Sequence, residues 1–189
     1  MPRLAYIEPD QLDATDRDVV AGNYSAFKAL AHSPRTCRQF RAMVYHLKRT
    51  KLDPRLRELA LLQIGWLSQC HYEWFHHVKT GMECGVSEED IRIIMDGSAQ
   101  ALTRLDGPAR LVLHASREMY VGPAAAYTVE SLKELLGSEC LVDLIVAIGY
   151  YIGGVRILST LDLDLEPEYE AFTTLFPLRP ANATRTDIP

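Results

Sequence analysis

Residues 53–85 read DPRLRELALLQIGWLSQCHYEWFHHVKTGMECG, and this stretch decides the fold. Asp53-Pro54 is a helix start: a side-chain acceptor at the cap, then a proline at the first helical position, where a missing N–H costs nothing. Leu56, Leu59, Leu62 and Ile64 follow at helical spacing. A second helical stretch covers about 69–82 and stops at Gly81 or Gly85. The pattern leaves open whether one helix runs through from Pro54 or a new one begins at Cys70, with Ser68-Gln69 as its cap. On a helix, Cys70, Glu73 and His77 stand at i, i+3 and i+7 and share one face. Three groups able to hold or pass a proton on one stripe make an acid–base constellation. His76 points to the side, and Tyr72 lies further round. Trp66, Leu67, Trp74 and Phe75 make the surroundings apolar, so a carboxylate here is expected to titrate high. A helix starting at Cys70 would favour its thiolate. Each residue also has a purely structural reading: a small core cysteine, a surface glutamate, a wet histidine face.

Working outward, helical punctuation continues in both directions. Upstream, Val19, Val20, Tyr24, Phe27 and Leu30 predict a helix from about 16 to 31. Ser33-Pro34 starts another, carrying Cys37, Phe40, Met43, Val44 and Leu47. Downstream, Ser87-Glu88-Glu89-Asp90 resembles a capping box before Ile91, Ile94 and Met95. Asp106-Gly107-Pro108 starts a helix that Gly122-Pro123 breaks. Thr128 opens a short helix ending at Gly137, and a last long helix runs from about 138 to 161. No alternating strand pattern occurs, so the chain reads as all-α. It divides into a single helical domain over 1–176 and an arm or disordered tail over 177–189. Leu52-Asp53-Pro54 through Arg57 echoes Leu105-Asp106-Gly107-Pro108 through Arg110, as two related helical hairpins would. The segment from Leu141 to Leu158 is apolar nearly all round. Asp143, Arg156 and three glycines within it point to a core or subunit-interface helix rather than a membrane span.

Composition excludes several functions. The 189 residues are 48% hydrophobic and 24% charged, as in a globular protein. Twenty Lys and Arg against twenty-five Asp and Glu give a net charge of -5. Without a basic block, neither nucleic acid nor an anionic membrane is an expected partner. Four scattered cysteines are too few for a disulfide framework. The N-terminus has no apolar export segment, so a cytoplasmic location is expected and the Asn182-Ala183-Thr184 sequon is read as chance. There is no His-Glu-x-x-His, and Glu73 with His77 supplies only two ligands, so neither metal nor cofactor is expected.

Glu58, then eleven residues, then Cys70-x-x-Glu73-x-x-x-His77 resembles the signature of the carboxymuconolactone decarboxylase and alkylhydroperoxidase D-like superfamily. Arg57-Glu58-Leu59, the Gly85-Val86-Ser87-x-Glu89 turn and Leu30-Ala31-His32-Ser33-Pro34 support it. The resemblance spans roughly residues 20–165. It implies an all-α bundle of paired helical hairpins, and a homo-oligomer, usually a trimer or hexamer, with sites near subunit interfaces. It assigns Glu58, Cys70, Glu73 and His77 as catalytic. In the peroxidase branch the motif is Glu, CxxC, His, with two thiols as the redox pair. Glu73 stands here in place of the second thiol, and a sulfenic acid on Cys70 would lack an adjacent resolving partner. The decarboxylase branch carries Glu-Trp-x-x-His, which Glu73-Trp74-Phe75-His76-His77 resembles. That branch implies non-redox proton transfer on a small carboxylic acid or lactone. His77, assisted by Glu73 and Glu58, would move the proton, Tyr72 and Arg156 would bind substrate, and Cys70 would be a lining residue. The alternatives are a thiol-dependent hydroperoxidase using Cys70 and a non-catalytic oligomer that binds a small ligand.

Overall fold

A computed structural model of the chain describes residues 2–179. The Asn182 sequon and the arm from residue 180 onward lie outside the described residues. Among these, every regular element is helical. The α-helices are α1 (Ser25–Leu30), α2 (Pro34–Leu47), α3 (Pro54–Ser68), α4 (His71–Glu83), α5 (Glu88–Asp96), α6 (Ala99–Leu102), α7 (Gly107–Val121), α8 (Ala126–Leu161) and α9 (Glu170–Leu175).

The helix starts follow the punctuation. The Asp53 side chain accepts from the Leu56 N–H at 2.9 Å and Asp106 accepts from Ala109 at 2.8 Å. Ser87 and Asp90 form the reciprocal capping box. The two Asp-capped helices, α3 and α7, pack directly on each other, and Arg55 ties their starts to α5 through Asp106 and Asp90. Helix α3 is the central element, packed on α4, α5, α7 and α8. Every residue from Leu56 to Trp66 is buried. Its larger apolar side chains, such as Leu59, Leu62 and Ile64, each contribute roughly 2–3 kcal/mol by transfer from water.

Two boundaries differ from the sequence reading. No single helix spans 16–31: a 3-10 turn at Arg17–Val20 gives way to Gly22 and Asn23 in left-handed conformation before α1 begins. Left-handed residues cannot propagate a right-handed helix. The apolar spacing there marks burial instead, since Val19, Val20 and Phe27 share a small core with Ala31 and Cys37. The helix expected from Thr128 starts two residues earlier, and Thr128 is buried inside it. Gly137, at φ 75, does interrupt α8 where the short helix was expected to end.

Helix α8 has the length and composition of a membrane span, with mean hydropathy 1.8 over its most apolar window. One side nevertheless packs into the bundle through Leu144, Ala147, Ile148, Tyr151, Val155 and Leu158. The other side exposes Val142, Val146 and Ile157. Gly154 faces Phe40 of α2 at 3.9 Å, whereas Gly149 and Gly153 face open space.

Candidate active site

The question of one helix or two is settled by Gln69. It adopts a left-handed conformation (φ 52), α3 ends at Ser68, and Cys70 becomes the N-cap of α4. Ser68 does not cap the new helix. Its hydroxyl donates to the Gly65 carbonyl and accepts from the Cys70 N–H, closing the end of α3. The sharp turn lays α4 back along α3. A Cβ on Gly65 would stand 3.3 Å from the Trp74 Cα, so the glycine permits the close approach of the two backbones.

That approach brings Glu58 of α3 against His77 of α4. His77 Nδ1 donates to Glu58 Oε2 at 2.7 Å, and its Nε2 pairs with Glu73 Oε2 at 3.1 Å, one turn back on α4. Behind Glu58, Arg57 Nε donates to Oε1 at 3.0 Å. The result is a linear array, Arg57–Glu58–His77–Glu73, of two cationic and two anionic groups. Glu58 is fully buried, Arg57 and His77 nearly so, and Glu73 keeps a side-chain exposure of 12%. Glu73 is therefore the outermost member.

The electrostatics follow from this order. Burial alone would push the His77 imidazole down, but Glu58 and then Glu73 outweigh it and raise its pKa to about 9. The imidazolium is the resting form at neutral pH. Burial also pushes Glu58, the deepest carboxylate, up, but His77 and Arg57 outweigh it and bring it below the ordinary value.

Cys70 shares the α4 face with Glu73 and His77, as the spacing predicts, but the helix start does not activate it. The N–H groups of Tyr72 and Glu73 and the Ser159 hydroxyl favour the thiolate. Burial, and then the Glu73 charge, outweigh them and raise the thiol pKa. All four cysteines are free thiols.

Two sequence assignments move elsewhere. Tyr72 does not line the array: its buried hydroxyl donates to Glu166 Oε1 at 2.9 Å and accepts from the Ala26 N–H. His76 binds the same carboxylate at 2.6 Å, between the rings of Tyr72 and Tyr169. Glu166 also accepts from the Ser25 N–H, so this second cluster fastens both terminal segments over α4. Arg156 is exposed and pairs neither with Asp143 nor with any other carboxylate among the described residues. It lines a shallow apolar groove with Leu4, Leu30 and Leu161, apart from the Glu58–His77 array. Side chains on α8 alternate around the axis, and the register that buries Tyr151 and Val155 turns Arg156 outward.

Sequence reasoning missed Tyr151, whose ring meets the His77 imidazole edge-on at 5.0 Å. It also missed Glu166 as the partner of Tyr72 and His76. Neither has a local signal, because each lies more than sixty residues from α4. Arg57 was legible only as a flank of Glu58. Among the described residues, no three His, Cys, Asp or Glu side chains are gathered to hold a metal ion.

Residues 32–105 fit the profile of the Carboxymuconolactone decarboxylase family, a span that runs from just before α2 to just after α6 and contains Glu58, Cys70, Glu73 and His77. No curated protein matches the chain.

Proposed function

Since residues 32–105 are a carboxymuconolactone decarboxylase family domain, we propose that the chain is a non-redox enzyme that decarboxylates or isomerises a small carboxylic acid or lactone. The observation that carries this reading is the buried Glu58–His77–Glu73 array, with a protonated imidazole held between two carboxylates. Both ring nitrogens are engaged, so His77 works as the proton store and Glu73, the outermost group, meets the substrate. In decarboxylation the C–C bond to the carboxylate breaks. Its electron pair moves onto the conjugated carbonyl oxygen, and CO2 departs. The carbon then takes a proton through Glu73 from His77, and water restores that proton. Glu58 and Arg57 keep the imidazole charged and oriented.

The thiol-peroxidase alternative has less support. Cys70 is buried with a raised pKa, the reverse of an activated nucleophile. Cys84 stands beyond the far end of α4, about 20 Å away at 1.5 Å per residue. A disulfide needs Cα atoms within about 7 Å.

The reading includes assembly as a homo-oligomer, a trimer or hexamer, through the exposed side of α8. Val142, Val146 and Ile157 lie there beside two glycines in open space. The functional test is turnover of a panel of small carboxylated lactones. Glu73→Gln and His77→Asn each abolish it, whereas Cys70→Ser retains most of it. An active Glu73→Gln with an inactive Cys70→Ser refutes the proposal.

A further inference from the structure

The array moves a proton, but nothing in it receives the charge that collects on the substrate's carbonyl oxygen. Arg57 is committed to Glu58 and buried behind it. Arg156 lies in another groove. Helix α8 supplies a group of the right kind. Tyr151 is 6% exposed, and its ring stands at 82° to the His77 imidazole. Its neighbour Tyr150 donates to the Phe40 carbonyl at 2.7 Å, while Tyr151 makes no hydrogen bond among the described residues. Among the described residues the enclosed, unpartnered side-chain atoms are Arg41 Nε, Gln63 Nε2 and Thr128 Oγ1, and the Tyr151 hydroxyl is not one of them, so it keeps an open side from which to donate.

We propose that Tyr151 is a catalytic residue of this site, its hydroxyl donating a hydrogen bond to the substrate carbonyl oxygen that becomes an enolate as CO2 leaves. The assignment rests on the decarboxylase reading and adds to it a residue outside the matched span 32–105. The chemistry suits a phenol. Burial, then the charges of Glu73 and Glu58, raise its pKa well above the ordinary tyrosine value, so it stays a neutral donor beside two carboxylates. A donor already positioned by packing against His77 needs no reorganisation when charge develops, which is where such groups contribute most. The substrate class follows: a carboxylate borne on the carbon α to a lactone or ketone carbonyl, or on its vinylogous position, with that carbonyl oxygen turned toward α8.

Tyr151→Phe separates this role from packing, because it keeps the ring and removes only the hydroxyl. The variant is expected to keep the wild-type melting temperature, since no hydrogen bond within the protein is lost. Its kcat on carboxylated lactones falls by about 10²–10³-fold, the usual effect of deleting one oxyanion donor. Tetronic acid, a lactone that exists as its enolate at neutral pH, supplies a readout without turnover: wild type binds it by calorimetry, and Tyr151→Phe binds at least about tenfold more weakly. Equal tetronate binding by the two proteins, or no binding by wild type, overturns the assignment. Tyr151-dependent tetronate binding with no turnover of any lactone keeps the Tyr151 hydroxyl as the site's donor to an enolate oxygen and removes the decarboxylase reading instead.

Discussion

Replacing Glu58 by Gln tests the electrostatic core of the site. The substitution keeps the side-chain volume and removes the charge on His77 Nδ1. In the native protein the imidazole pKa stands at about 9 against an ordinary 6.5. That difference corresponds to roughly 3 kcal/mol favouring the protonated folded state, at about 1.4 kcal/mol per tenfold change. A group with a raised folded pKa gives its full stabilisation below the unfolded value and loses it as pH climbs through the folded one. Wild-type stability in urea should therefore decline between about pH 6.5 and 9. In Glu58→Gln the dominant attraction is gone and burial pulls His77 downward, so that slope disappears. Arg57 also loses its carboxylate in the interior. Breaking a buried pair typically costs about 3–5 kcal/mol, so the variant should be markedly weaker at pH 7. Urea unfolding across pH 6–10, with NMR titration of the imidazole, reads both effects. A wild-type His77 titrating at or below 6.5, with stability flat across that range, would refute the reasoning.

Three further outcomes follow from the same structure. Hydrogen bonds from His76, the Ser25 N–H and Tyr72 outweigh burial and hold Glu166 at about 2, so its stabilisation is complete above about pH 4.5 and lost as pH falls toward 2. Hydrogen exchange should then release the segments around Ser25 and Glu166 before α3; simultaneous release would contradict this. Gly65→Ala places a Cβ 3.3 Å from the Trp74 backbone, and separating α3 from α4 should lower both the melting temperature and the His77 pKa; a normal His77 titration would show that the glycine does not set the spacing. Val146→Glu on the exposed side of α8 should reduce the oligomer seen by sedimentation while leaving far-UV circular dichroism unchanged; an unchanged sedimentation profile would place the interface elsewhere.

Much of this was legible locally. Asp53-Pro54, Ser87 through Asp90 and Asp106-Gly107-Pro108 announce helix starts because a cap is a contact within three or four residues. Glu73 and His77 could be paired from spacing alone, since one helical turn fixes their distance. Cys70 shows the limit of that logic. The pattern left open whether it stands at a helix N-terminus, and its protonation was not readable either, because desolvation depends on what covers it. The 16–31 reading failed for a related reason: apolar spacing reports which side chains are buried, and Gly22-Asn23 turns the chain without disturbing that spacing.

What the sequence by itself determined is therefore the set of helices and the stripe on α4, because both arise from interactions a few residues long. The tertiary structure decided which groups that stripe meets. Gln69 folds α4 back on α3, Gly65 lets them touch, and only then does Glu58 reach His77 across 19 positions of chain. Tyr151 arrives from α8 by packing, and Tyr72 is drawn away by Glu166 across 94 positions. Contacts of this kind are fixed by how helix faces bury one another, and the charge state of His77 is set by those contacts, so neither is written in any local window of the chain.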